Sequence, residues 1–154
     1  MADLATELST YAAGLDAVLE LLGRLDALAA AQREASQVGD LDHFARLGDE
    51  RDRVTAALVQ LEADLSPLRV RLGHRRKESE HSPIYRALVE RHRKARELVD
   101  GVLATDAETV KALKEAEIAR RAAAQALETG EQTLAAYRKV ISPNRTSALI
   151  DARS

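Results

Sequence analysis

The chain has 154 residues, with 23 Lys and Arg against 25 Asp and Glu and no cysteine. That length suits one domain of ordinary size, and the missing cysteine excludes a disulfide framework, a Cys-based zinc site and a thiol nucleophile. Aromatic residues make up 3% and charged residues 31%, and the hydrophobic 45% is largely Ala, Leu and Val; such a composition belongs to long helices that bury narrow stripes, not to a thick aromatic core.

No apolar run approaches the ~18 residues that a membrane span needs. Met1-Ala2-Asp3-Leu4 lacks the basic and apolar regions of a secretory leader. The expectation is a cytoplasmic protein with no membrane insertion. Charge is unevenly spread: residues 1–65 hold 13 acids and 5 bases, residues 66–98 hold 10 bases and 4 acids, and residues 99–154 hold 8 of each. A near-neutral chain with a basic middle block is not a nucleic-acid-binding polycation.

Leu4, Leu8, Tyr11, Leu15, Val18, Leu22, Leu25 and Ala29 recur at alternating steps of four and three, the seam of a helix packed lengthwise on others. Asp3 is its expected N-cap. Val38-Gly39-Asp40 reads as a C-cap glycine followed by the next N-cap, so the first helix spans about 3–38. A second helix, about 40–72, carries Leu41, Phe44, Leu47, Val54, Leu58, Leu61, Leu65, Leu68 and Leu72. Arg51 takes one seam position, where packing should loosen or the stem should snorkel. Pro67 predicts a kink or an early end.

Gly73 to Pro83 has no periodicity and reads as a loop, closed by Ser82-Pro83 as N-cap and first helical residue. The third helix, 83–141, carries Ile84, Leu88, His92, Ala95, Val99 and Val102, then less cleanly Val110, Leu113, Leu127, Leu134 and Tyr137. Thr105-Asp106-Ala107-Glu108 and Thr129-Gly130-Glu131-Gln132 match the capping-box form, which allows two or three pieces. The reading taken is one helix of ~55 residues, bent near Thr105 and frayed beyond Gly130. Ser142-Pro143 ends it and leaves a flexible tail, 142–154. A two-residue turn forces the first two helices antiparallel, and the third returns along them. The expected fold is all-α: an elongated antiparallel three-helix bundle or coiled coil, with residues 1–141 as a single domain.

Catalytic chemistry finds no candidate. His74 and His81 share the loop without the acids of a metal site, His92 reads as a partly buried core residue, and His43 as exposed. There is no HExxH, no ExxH pair and no glycine-rich phosphate loop. No catalytic, cofactor or metal residue is expected, and no enzyme. The cluster Arg69, Arg71, Arg75, Arg76 and Lys77, followed by Arg86, Arg91, Arg93, Lys94 and Arg96, could face nucleic acid or an acidic partner. Without interleaved aromatics it reads instead as complement to a helix C-terminus and to the acidic first helices, and no nucleic acid is expected.

The candidate site is C-terminal. Leu127, Leu134, Tyr137, Val140 and Ile141, and past them Leu149 and Ile150, lie beyond the reach of ~33-residue partner helices by roughly 30 Å if the helix is straight. An apolar helix face without cover from its own chain is a partner-binding surface. Self-association, folding back and fraying are its other uses, and the expected state is a monomer or weak homo-oligomer.

The leucine-rich first helix and the run Gly39-Asp40-Leu41-Asp42-His43-Phe44-Ala45-Arg46-Leu47-Gly48-Asp49-Glu50-Arg51-Asp52-Arg53-Val54 resemble the FlgN-type flagellar export chaperones, as does the ending in Tyr137 and a polar tail. Where such chaperones commonly carry an Asn near the start of the third helix, this chain has Arg91-His92-Arg93. The resemblance implies a cytoplasmic chaperone of the flagellar type III secretion system. Its clients would be hook-associated (hook-filament junction) proteins, kept from premature assembly and delivered to an export-apparatus component. A structural coiled-coil scaffold is the alternative.

Overall fold

The computed structural model describes residues 3–141; the tail expected over 142–154, with the Ser142-Pro143 stop, Leu149 and Ile150, lies outside the described residues. Among the described residues there is no strand. Four helices follow one another: α1 (Leu4–Val38), α2 (Leu41–His74), the single turn α3 (Arg76–Ser79) and α4 (Pro83–Val140). They divide into two units, the first ending at Ala112 and the second beginning at Leu113. None of these helices is long and apolar enough to cross a membrane.

The α1–α2 turn follows from two residues. Gly39 has φ 76°, a left-handed conformation that glycine takes without a Cβ clash, and the amides of Gly39 and Asp40 both reach the Ala35 carbonyl. The Asp40 carboxylate then accepts the His43 amide at 3.1 Å and starts α2. Asp3 caps α1 differently: its side chain makes no capping bond, and its carbonyl accepts the Glu7 amide at 2.9 Å.

Within the first unit, α1 is the most deeply covered helix. Leu8, Tyr11, Leu15, Val18, Leu22, Leu25 and Ala29 are all buried, as the heptad requires, and so are Ala12, Leu28, Gln32, Ala35 and Ser36. The stripe is wider than one seam because α1 is covered from two sides. On α2, partners of α1 climb as α1 numbers fall: Gln32 meets Arg51, Tyr11 meets Arg69, and Glu7 meets Arg71. The pair is therefore antiparallel. On α4 they rise together, Asp16 with Arg91 and Arg33 with Glu108, at a constant separation of 75 residues. The Pro83–Ala112 part of α4 thus runs parallel to α1, and its Leu88 and Val102 join the same buried cluster.

Gly14 lets the Leu65 side chain of α2 pack close against the α1 backbone. A Cβ there would fall 2.4 Å from Leu65 Cδ2, so the buried Leu65 side chain occupies the space a larger residue would need.

Three expectations need correcting. α2 does not end early at Pro67 but continues to His74. Pro67 and Ala63, whose carbonyl loses its amide partner, are both exposed, so the freed oxygen is not stranded in the core. The stretch 73–83 is not all loop: α2 takes its first residues, and Arg76–Ser79 forms a turn of helix whose buried Ser79 hydroxyl donates to the Arg75 carbonyl at 2.9 Å. The α4 seam is displaced by one residue at three points. Leu98 rather than Val99 packs on the core, Thr109 rather than Val110 is buried, and Arg91 is more covered than His92, whose residue surface is largely exposed although its ring tip reaches the part-buried Tyr11 hydroxyl. At two of these points a polar residue, Arg91 or Thr109, takes the seam position, and an apolar-only search steps past it.

Candidate functional site

α4 is one helix of 58 residues, and neither capping-box sequence interrupts it. Thr109 Oγ1 donates to the Thr105 carbonyl at 3.1 Å, and Thr129 and Thr133 bond back to Gln125 and Thr129 at 3.0 Å. Hydroxyls that could cap a helix start are spent inside one.

The second unit contains all five residues singled out from sequence, and all five are exposed: Leu127 71%, Leu134 68%, Tyr137 60%, Val140 56% and Ile141 55%. At about 100° per residue, Leu127, Leu134, Ile141 and Tyr137 share an arc of about 80°, and Val140 extends it by about 60°. Ala116, Ala119, Ala123 and Gly130 fall within the same arc, so the stripe is shallow toward its N-terminal end and bulky toward Ile141. Ile118, 67% exposed, lies on the opposite side and does not belong to it. Arg120, Glu131 and Arg138 border the stripe on the Leu127 edge. The Arg120 and Arg121 guanidiniums both bond Glu117, at 2.8 and 2.9 Å, and hold its carboxyl below the usual range.

Two polar nodes in the first unit escaped the sequence reading. In one, Arg51 of α2 forks onto Asp106 of α4 at 2.7 and 2.5 Å and also donates to Gln32 Oε1 of α1 at 3.1 Å. Gln32 is 6% exposed, and its amide nitrogen reaches the Phe44 carbonyl at 3.4 Å. Asp106 raises the Arg51 pKa through this bond. Arg51 at a seam position was the legible half; Asp106 was masked by its capping-box context. In the other node, Arg69 donates to Tyr11 Oη at 2.9 Å and to Glu62 at 2.9 Å, and Tyr11 Oη lies 3.2 Å from His92 Nε2. With Arg69 already donating to it, Tyr11 Oη is free to donate to an unprotonated Nε2. Partial burial, then the Arg69 charge, lowers the His92 pKa.

The basic block is largely neutralised by local carboxylates. Arg71 reaches Glu7, Arg75 reaches Glu78, Arg76 reaches Glu80, and Arg93 reaches Glu90 and Glu97. Arg91 forks onto Asp16 at 2.7 and 3.3 Å, which lowers the Asp16 pKa. His43, His74 and His81 are exposed. Among the described residues no three His, Asp or Glu side chains gather to hold a metal ion.

At the α2–α4 turn the first unit forms a cleft, open to one side, of about 240 Å3. Leu8, Leu72 and Leu88 form its apolar wall, and Tyr11, Arg69 and Arg76 reach it from the polar side. Compared with known proteins, the chain matches no family model, no curated protein sequence and no solved structure.

Proposed function

We propose that this chain is a non-catalytic holding protein: a cytoplasmic chaperone of the flagellar type III export kind. It would cover the amphipathic terminal helices of hook-associated proteins until an export-apparatus component takes them over. On this reading residues 3–112 form a three-helix bundle of coiled-coil character that serves as scaffold, and Leu127, Leu134, Tyr137, Val140 and Ile141 form the grip. The observation that carries the reading is the exposure of these five side chains, 55–71%, along one face of a regular helix. Large apolar groups at helical spacing are the surface on which an amphipathic partner helix docks. The client class rests on the resemblance of Gly39 to Val54 to the FlgN-type chaperones.

Affinity should be moderate, because a client that orders on binding gives up conformational entropy and must later be released. The test is a chain ending at Gly130. It should remain helical and fail to capture hook-associated proteins from the source cell; capture equal to that of the intact chain would remove the site assignment.

A second reading, a self-associating scaffold, draws on the size gradient of the stripe. In antiparallel copies centred between Glu128 and Thr129, the small Ala116, Ala119 and Ala123 would face the bulky Ile141, Tyr137 and Leu134. Sedimentation at micromolar concentration separates the two: a dimer that Leu134→Asp dissolves favours the scaffold.

A further inference from the structure

The cavity at the α2–α4 turn has the chemistry of a binding pocket independent of the α4 stripe. Leu8, Leu72 and Leu88 are 1%, 7% and 6% exposed, so its wall belongs to the fixed core. A Cβ built on Gly73 would meet no atom within 4 Å, so this side of the cavity is open space. Water against such a wall finds few hydrogen-bond partners, and an apolar body recovers the dispersion contacts that the empty volume forfeits. A cavity of about 150 Å3 holds benzene; 240 Å3 takes a phenyl ring with a short carbon arm.

The polar side of the cavity selects for charge. Its lining includes Arg69, Arg76 and His92 and no Asp or Glu. Arg69 is anchored through Nε to Tyr11 and through Nη2 to Glu62, which aims the guanidinium without consuming Nη1. Arg76 bonds Glu80 at 3.2 Å in a pair whose side chains are 74% and 44% exposed, the weak kind that a ligand carboxylate displaces.

We propose that this cavity binds a small amphipathic carboxylate, with an aryl or short alkyl body against Leu8, Leu72 and Leu88 and the carboxylate at Arg76 and Arg69. The probe is 3-phenylpropionate, titrated into the full chain while the Tyr11 and Tyr85 ring resonances are followed by NMR. 3-Phenylpropanol, the same body without charge, is the comparator. The expected result is saturable shifts with a dissociation constant on the order of 0.1–1 mM, and binding of the alcohol about fivefold weaker or less tight still. Arg76→Gln should weaken the acid and leave the alcohol unchanged. Gly73→Leu should remove both while keeping the helical signal, and Val89→Phe, at a 51% exposed wall position, repeats the test should the glycine variant unfold. No saturable shift at about 10 mM acid, equal affinity for acid and alcohol, or undiminished binding by a folded filled variant overturns the proposal.

Discussion

α4 carries one sequence rhythm through two environments. Between Ile84 and Thr109, steps of three and four bring Leu88, Val102 and Thr109 into the buried interior, with Ala95 and Leu98 half-covered beside them. Between Leu127 and Ile141 the same steps bring Leu127, Leu134, Tyr137 and Ile141 onto one face, and every one of them is exposed. The difference teaches what periodicity means physically. It fixes which side chains share a face, because the helix turns about 100° per residue. Whether that face is covered depends on what stands opposite. Near Ala95 there are α1 and α2 side chains, and the covered face can afford polar members such as Arg91 and Asp106 because Asp16 and Arg51 meet them. The exposed face is built instead of large apolar residues, 55–71% exposed.

The sharpest way to break this contrast is truncation of leucines. Leu15→Ala, at a site 2% exposed, should lower stability by about 2–5 kcal/mol in denaturant unfolding. Leu134→Ala should change it by less than about 0.5 kcal/mol. A comparable loss at both sites would mean that the distal stripe is covered in solution. The Arg51 node comes next. Asp106→Ala strands a partly buried guanidinium and should cost about 1–3 kcal/mol, and the double substitution Arg51→Leu with Asp106→Leu should recover much of it, as a double-mutant cycle will show.

Glycines draw the same contrast at smaller scale. Gly14→Ala forces a methyl group onto Leu65 and should cost about 1–3 kcal/mol. Gly130→Ala, where a Cβ meets open space inside a helix, should add about 0.5–1 kcal/mol. Thermal unfolding of the two variants reads both signs. The smallest effect concerns His92. Because its pKa is lowered in the folded protein, the unfolded chain binds more protons as pH falls below about 6.5. The stability held in the neutral imidazole is complete above that value and declines below it. Thermal unfolding between pH 7 and 5 should show this slope, and Tyr11→Phe should alter it.

Much of the fold was legible in the sequence. The α1 heptad named seven of the helix's twelve buried residues, and Gly39-Asp40 named its turn, because both patterns depend on local geometry; the other five are buried because α1 is covered from two sides. The early end that Pro67 allowed did not occur, because Pro67 and Ala63 are exposed and a sequence does not state exposure. The α4 seam misled at His92 and Val110 because Arg91, paired with Asp16, and Thr109, bonded back to Thr105, occupy seam positions that apolar periodicity skips; at Val99 the adjacent and equally apolar Leu98 packs inward instead. Asp106 looked like a capping residue for the same reason: its real partner, Arg51, lies 55 residues away. The five stripe residues were found because they are large and apolar amid Ala, Glu and Arg. The cavity was not, because Leu8, Arg69 and Tyr85 become neighbours only through the fold.

The central claim, that the face from Leu127 to Ile141 holds a partner helix, is tested most directly by binding. A labelled terminal helical segment of a hook-associated protein is titrated with the intact chain and with a Leu134→Asp, Tyr137→Asp variant, and its fluorescence anisotropy is followed. Saturable binding is expected in the micromolar range, on the order of −8 kcal/mol, weakened more than about tenfold in the variant while its unfolding temperature stays unchanged. Equal binding by the intact and substituted chains would contradict it.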